Sequence, residues 1–138
     1  MNKEEIMKIL PHRDNMLLLD DVSEKDGTAV GHYTVLGDEF FLKGHFPQNP
    51  IVPGVILCEI LAQSACVLLK DKMSEGKLPF FAGLNNVKFR SPVKPGDKIE
   101  TNCRISRAKH PFYFAEGTVT VDGRVCMSAE FSFAITGE

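Results

Sequence analysis

The run from Pro53 to Leu69, PGVILCEILAQSACVLL, limits what this chain can fold into more than any other stretch. Proline is well tolerated at a first helical position. Pro47, Pro50 and Pro53 stiffen the loop before it, each fixing its own φ and biasing the residue before it toward extended geometry. The spacing predicts one helix from Val55 to Leu69 that fades near Ser74-Glu75-Gly76, about twenty residues and roughly 30 Å long at about 1.5 Å per residue. Its apolar residues, from Val55, Ile56 and Leu57 through Ile60 and Leu61 to Leu68 and Leu69, lie on nearly every side. A helix hydrophobic all round belongs inside something. Glu59 is the only charge between Gly54 and Leu69, and Gln63 lies one turn further along the same face.

The rest of the chain supplies a wrapping for that helix. Residues 3–10 read as a short amphipathic helix with Ile6, Ile9 and Leu10 on one side, stopped by Pro11. Asp20–Gly27 reads as an acidic turn. A strand is expected over Thr28–Leu36, where Ala29, Gly31, Tyr33 and Val35 alternate with polar or outward positions. Everything after Leu78 reads as strand: Phe80–Arg90, Lys98–Ala108, Phe112–Val121 and a last segment after Asp122-Gly123. In that last segment Val125, Met127, Ala129, Phe131, Phe133 and Ile135 are expected on one face, with Cys126, Ser128, Glu130 and Ser132 opposite. Lys94-Pro95-Gly96-Asp97 has the residues of a type II turn, and Asp122-Gly123 those of a two-residue hairpin. Hairpin connections make the sheet antiparallel, and its twist lets one face curl around the helix. The expected fold is therefore α+β, one domain over residues 1–138. Since one sheet cannot cover a helix apolar on every side, a second copy of the chain is expected to complete the cover.

Composition excludes several classes. With 43% hydrophobic and 25% charged residues, the chain has the make-up of a soluble globular protein. Pro53, Gly54, Glu59 and Gln63 interrupt the apolar run, so it is not read as a membrane span. The N-terminus MNKEEIMKIL carries acids where a secretory signal would be apolar, which points to the cytoplasm. Cys58, Cys66, Cys103 and Cys126 have no C-x-x-C spacing and read as buried thiols rather than disulfides or a zinc site. Residues 1–45 hold five Lys or Arg against nine Asp or Glu, whereas residues 88–109 hold seven cations against Asp97 and Glu100. That asymmetry suits an acidic partner as well as a solvated sheet surface, and no basic motif interleaved with aromatics marks nucleic-acid binding.

Three groups around the start of the helix have chemical potential. Glu59, set in an apolar helix, is expected to be kept neutral by burial and so to serve as a proton donor; a carboxylate paired or solvated at an interface is the plainer alternative. His45, in Gly44-His45-Phe46-Pro47, is the candidate base, because histidine most often fills that role near neutral pH. His12, His32 and His110 lack comparable settings and read as strand or turn residues. Pro53 has no N–H, so Gly54 and Val55 offer the first free amides of the helix, a site for developing negative charge. Acid, base and oxyanion site together suit removal of a proton next to a carbonyl with loss of a β-hydroxyl. No metal or other cofactor is needed for that reaction.

These residues carry a resemblance. Leu10-Pro11-His12-Arg13, the run from Gly44-His45-Phe46-Pro47 through Pro53-Gly54-Val55 to Glu59 and Ala62-Gln63, and Lys88-Phe89-Arg90-Ser91-Pro92-Val93 with Pro95-Gly96-Asp97 are similar to the (3R)-3-hydroxyacyl-acyl-carrier-protein dehydratases of bacterial type II fatty acid synthesis. The resemblance covers nearly the whole chain. It implies a hot-dog fold, a homodimer commonly assembled as a trimer of dimers, and dehydration of 3-hydroxyacyl thioesters to trans-2-enoyl thioesters. It places catalysis on His45 and Glu59, drawn from opposite subunits, and the oxyanion site on the Gly54 N–H. An acyl tunnel between subunits would involve Phe46, Val55 and Gln63, with Phe80 or Phe81 lining or gating it. The partner it implies, acyl carrier protein, is acidic, which favours residues 88–109 as a docking surface. A related branch that also isomerises carries aspartate where this chain has Glu59, so glutamate favours dehydration alone. Asp14-Asn15 stand where the family usually has an aromatic or apolar residue followed by proline. Two other readings stay open on the residues: an acyl thioesterase using Glu59 as base, and a module that binds an acyl thioester without turnover.

Overall fold

Turn chemistry sets the sheet. Asp26-Gly27 and Asp122-Gly123 both have left-handed backbone at their two central positions (φ 53° and 81°, 51° and 79°), the geometry that matches the twist of two-residue hairpins. Gly96 has φ 91° and the Asp97 N–H returns to Lys94 O at 3.0 Å, closing the expected turn. The structure, a computed structural model, describes residues 1–137 other than 11, 43–47 and 73–76, with all their side chains except those of Asn15 and Leu78. The elements are α1 (Lys3–Met7), β1 (Asp21–Lys25), β2 (Thr28–Thr34), α2 (Gly54–Cys66), β3 (Lys77–Phe89), β4 (Lys98–Lys109), β5 (Phe112–Val121) and β6 (Arg124–Gly137).

The six strands form one antiparallel sheet in the order β1-β2-β4-β5-β6-β3. Because β2 and β3 lie near opposite sides of the sheet, the segment joining them crosses it. α2 makes that crossing and packs against β2, β4, β5 and β6. This is the hot-dog arrangement: a curled sheet around a central helix. Ile60, Leu61 and Ala65 are fully buried there, in one core with Val119, Met127 and Phe131. Close approach of helix and sheet depends on small residues. A Cβ on Gly31 would lie 2.7 Å from Thr101 Oγ1 and 3.2 Å from Ser64 Cβ, and the Gly31 N–H donates to Thr101 Oγ1 at 3.0 Å.

Three details depart from the sequence reading. The acidic segment at 20–27 is not a plain turn: it contains β1, paired with β2 from Asp21↔His32 to Lys25↔Thr28. Only Val22 of β1 is buried, so an edge strand with one inward residue left no alternating pattern to find. α2 has 13 residues, shorter than expected, and continues as a 3₁₀ segment over Val67–Lys72. A register shift in the β5–β6 ladder, between Val119 and Thr120, puts Val119 opposite Met127 and Thr120 opposite Val125. Cys126 is the extra residue of this irregularity, and it turns inward to 0% exposure while Val125 turns out. All four cysteines are free and buried, as expected. No helix is long and apolar enough to cross a membrane among the described residues.

Candidate active site

Glu59 projects from the second turn of α2 toward the segment that follows α1. Arg13 shapes that segment: its guanidinium donates to Met7 O (3.0 Å), Leu10 O (2.8 Å) and His12 O (2.7 Å). Residues 14–16 then make a single 3₁₀ turn, with Asp14 at φ 54°, where the sequence departs from its resemblance. The result brings the His12 Nε2 within 3.2 Å of Glu59 Oε2. The sequence gives His12 only a strand or turn role; the structure sets it against Glu59.

Gln63 completes the cluster. One turn after Glu59 and only 1% exposed, it donates from Nε2 to Glu59 Oε2 at 2.9 Å and to Met16 O at 2.8 Å. Its Oε1 accepts from the Leu18 N–H at 2.9 Å. Glu59 is therefore not isolated in hydrocarbon as the helix pattern suggested: its side chain keeps 22% of its surface exposed and receives polar partners. Beside it lies a cavity of about 50 Å³, walled by Ala62, Cys66, Pro79, Phe81 and Phe133 with His12 and Gln63. Burial first, then the nearby Glu59 charge, raise the Cys66 pKa, so this thiol is not poised as a nucleophile.

The other proposed components divide clearly. Gly54 opens α2 after Pro53 at the N-cap, and the amides of Gly54 and Val55 precede the first i→i−4 bonds of the helix, which leaves them for an external acceptor. They border a second, more open cavity of about 580 Å³ with Ile51, Leu57, Phe89 and Val93. The Phe89 ring lies so close that a Cβ on Gly54 would meet it at 2.6 Å, and Val55 is 73% exposed. Phe81 packs edge to face with Phe131 and tilted against Phe133, whereas Phe80, its neighbour in an extended strand, is set to the other face. Within one chain only Phe81 of this pair reaches the Glu59 cavity. His45 and Phe46 lie outside the described residues. Among the described residues no His, Cys, Asp or Glu cluster could hold a metal ion.

The loop that leads to residue 45 is anchored from its near end. Glu39 Oε2 accepts from Tyr33 Oη (2.7 Å) and the Leu36 N–H (2.8 Å), and Oε1 accepts from the Gly37 N–H (2.8 Å). Burial alone would raise the Glu39 pKa, but these donors prevail and hold it below the usual carboxylate value. Tyr33 responds in the opposite direction: burial and the Glu39 carboxylate both raise its pKa. The basic segment lies at the surface. Lys88, Arg90, Lys94, Lys98, Arg104, Arg107 and Lys109 are all exposed. Arg104 pairs with Glu116 at 3.1 Å, and Arg107 sits 4.3 Å over the Phe114 ring.

A family model described as the FabA-like domain matches residues 10–130, a span that takes in the Glu59 cluster, the helix and nearly the whole sheet. This chain belongs to the FabA-like family. Among its FabA-like relatives, the 3-hydroxyacyl-[acyl-carrier-protein] dehydratase FabZ of Clostridium beijerinckii is 41% identical over 140 residues, covering 98% of this chain and 99% of the relative. The FabZ of Clostridium botulinum strain Eklund 17B is 43% identical over 137 residues, covering 96% of each. Among solved structures, the dehydratase heterocomplex ApeI:P from Xenorhabdus doucetiae superposes with a TM-score of 0.82 at 20% identity, over 96% of this chain and 91% of that one. The Escherichia coli PaaI protein superposes at 0.64 with 16% identity, over 83% of this chain and 81% of that one. At those identities the solved structures speak for the fold alone.

Proposed function

We propose that this FabA-like enzyme dehydrates (3R)-3-hydroxyacyl thioesters of acyl carrier protein to trans-2-enoyl thioesters in fatty acid elongation. The observation that carries this reading is the 41–43% identity to FabZ dehydratases over almost the full length of both partners. In the proposed reaction His45 removes the α-proton and the Gly54 N–H holds the thioester oxygen as it gains negative charge. Glu59 gives its proton to the departing β-hydroxyl, which leaves as water. The imidazolium and carboxylate then exchange protons through solvent, so each cycle consumes none. The chemistry calls for no cofactor.

A second copy of the chain supports this scheme in two ways. The cavity beside Glu59 holds about 50 Å³, room for one or two water molecules and not for an acyl chain. Strand β3 forms one edge of the sheet and exposes Phe80, Phe81, Leu84 and Phe89, an edge that a second β3 would cover. We place the acyl tunnel along that seam, with Phe81 near Glu59 and Val55 near the Gly54 amide. His45 then meets Glu59 of the other subunit, three such dimers associate, and the exposed cations of 88–109 receive the acidic carrier in the cytoplasm.

The test is turnover of crotonyl and 3-hydroxybutyryl thioesters by the purified protein. Glu59→Gln and His45→Ala are each expected to abolish it with the oligomer intact. Mixing the two inactive variants under subunit exchange should restore activity. Full activity of either variant would overturn the roles, and absence of rescue after proven exchange would overturn the shared site.

A further inference from the structure

Arg90 stands where two cavities meet. It lines the apolar cavity of about 580 Å³ that holds the Gly54 and Val55 amides. It also lines a polar groove of about 720 Å³ on the outer face of the sheet, where Asn102, Thr118 and Ser128 form one row across β4, β5 and β6. Backbone bonds fix its place. The N–H groups of Arg90 and Ser91 both donate to Cys126 O, at 2.8 and 3.3 Å, at the residue where the β5–β6 ladder slips. The facing wall is tied to the same segment, since the Val52 N–H donates to Val93 O at 2.8 Å. The rim that carries Arg90 is thus joined to the segment that opens α2.

The guanidinium at this rim is exposed and makes no ion pair or hydrogen bond with any described residue. The acids that line the groove do not answer it: Glu116 pairs with Arg104 at 3.1 Å, and Glu130 stands opposite Asn85, well back along β3. On the other side, Arg90 is the one charged side chain lining a cavity walled by Ile51, Val55, Leu57, Phe89 and Val93. Apolar walls with a single placed cation suit a ligand that is apolar along its length and anionic at one end. Of the common anions, phosphate matches the planar fork of an arginine well, through paired N–H donors.

We infer that Arg90 binds the phosphate of the pantetheine arm that bears the acyl thioester, so that the site recognises the thiol half of its substrate as well as the acyl half. This rests on the reading of the Gly54 N–H as the thioester oxygen site. With the carbonyl oxygen there and the acyl carbons directed toward Glu59, the sulfur and its arm leave through the open end of the apolar cavity. The methylene and dimethyl groups of the arm fit those apolar walls. Its phosphate, the one charge it carries, arrives at the rim. That phosphate is a diester in a carrier-bound substrate and part of a diphosphate in a coenzyme A thioester, and Arg90 serves either. No bond forms or breaks at Arg90, which binds substrate and takes no part in proton transfer.

The test is hydration of the crotonyl thioesters of pantetheine, 4′-phosphopantetheine and the carrier protein by full-length wild type, Arg90→Gln and Arg90→Lys. Wild type should prefer the phosphorylated over the unphosphorylated free arm, read as the ratio of their kcat/KM values, and the preference should weaken as salt rises. Arg90→Gln should cut that ratio roughly 5- to 20-fold, as expected for loss of a charge-assisted hydrogen bond at a partly solvated rim, with the change in KM rather than kcat. Arg90→Lys keeps the charge without the paired donors and should lose less. A wild type without the preference, or a ratio unmoved in Arg90→Gln, would overturn the inference. An equal loss on both free arms would make Arg90 part of the cavity frame, and a loss confined to the carrier-bound thioester would assign it to the carrier's protein surface; either result also overturns it. Failure of wild type to hydrate any of the thioesters would instead sink the dehydratase reading, a result distinguishable from failure of the phosphate contact alone.

Discussion

Glu39→Gln isolates one carboxylate that supports the approach to His45. In the native chain that carboxylate accepts three hydrogen bonds, two on Oε2 and one on Oε1. Glutamine keeps an oxygen for Tyr33 and Leu36 but turns an NH₂ toward the Gly37 N–H, so one charge-assisted bond becomes a donor facing a donor. A hydrogen bond to a charged group contributes about 1.5–3 kcal/mol when well buried. The bonds to Leu36 and Gly37 lie at the surface, and solvent screening reduces the loss to roughly 1 kcal/mol. The pH dependence gives the test its sign. The Glu39 pKa is lowered in the folded protein, so its contribution is present above the unfolded value of about 4.3 and is lost as pH falls through the folded one. Urea unfolding at fixed protein concentration should show the variant about 1 kcal/mol less stable at pH 7, with the gap closing toward pH 3. A difference that is zero at pH 7, or that persists unchanged at pH 3, would refute the reasoning. Activity of the variant should fall with it, because residues 40–42 lead directly into the segment that carries His45.

Gly31→Ala places a methyl 2.7 Å from Thr101 Oγ1 and 3.0 Å from Leu19 Cδ2; overpacking of this kind should cost about 1–3 kcal/mol in urea unfolding, and an unchanged midpoint would show that helix and sheet are not in tight contact there. His32 is held protonated above its ordinary pKa by Asp21 at 2.6 Å, against burial and with help from Glu100. That stabilisation is full below about pH 6.5 and is lost as pH rises through the folded value. His32→Gln should therefore destabilise more at pH 5.5 than at pH 8.5, by less than about 1 kcal/mol because the cluster is half exposed. A penalty that grows with pH would contradict the pairing.

Much of this architecture was legible in local pattern. The turn residues at 94–97 and 122–123, the alternation in β2 and the proline before α2 are encoded within a few positions, so the hairpins and the start of the helix could be read directly. Glu59 and Gln63 were visible for the same reason: a charge and an amide four apart on an apolar helix share a face. The family resemblance covered the residues that local pattern could not rank, His45 foremost.

What tertiary structure alone decided is where distant groups meet. β1 has one buried residue, and its strand character comes from pairing with β2 rather than from its own composition. Cys126 faces inward only because the β5–β6 ladder slips by one residue near Val119, a decision made across two strands. The contacts at Glu59 have the same origin. His12 reaches it from 47 positions away because Arg13 ties the exit of α1, and Gln63 takes its orientation from backbone groups at Met16 and Leu18. None of these partners has a periodic signature, since hydrogen bonds between remote segments depend on how elements dock. The amino-acid order determined the helix, the hairpins and the placing of Glu59 and Gln63 on one helix face; docking of the N-terminal segment against α2 determined how the Gln63 amide is turned and which oxygen of Glu59 it meets.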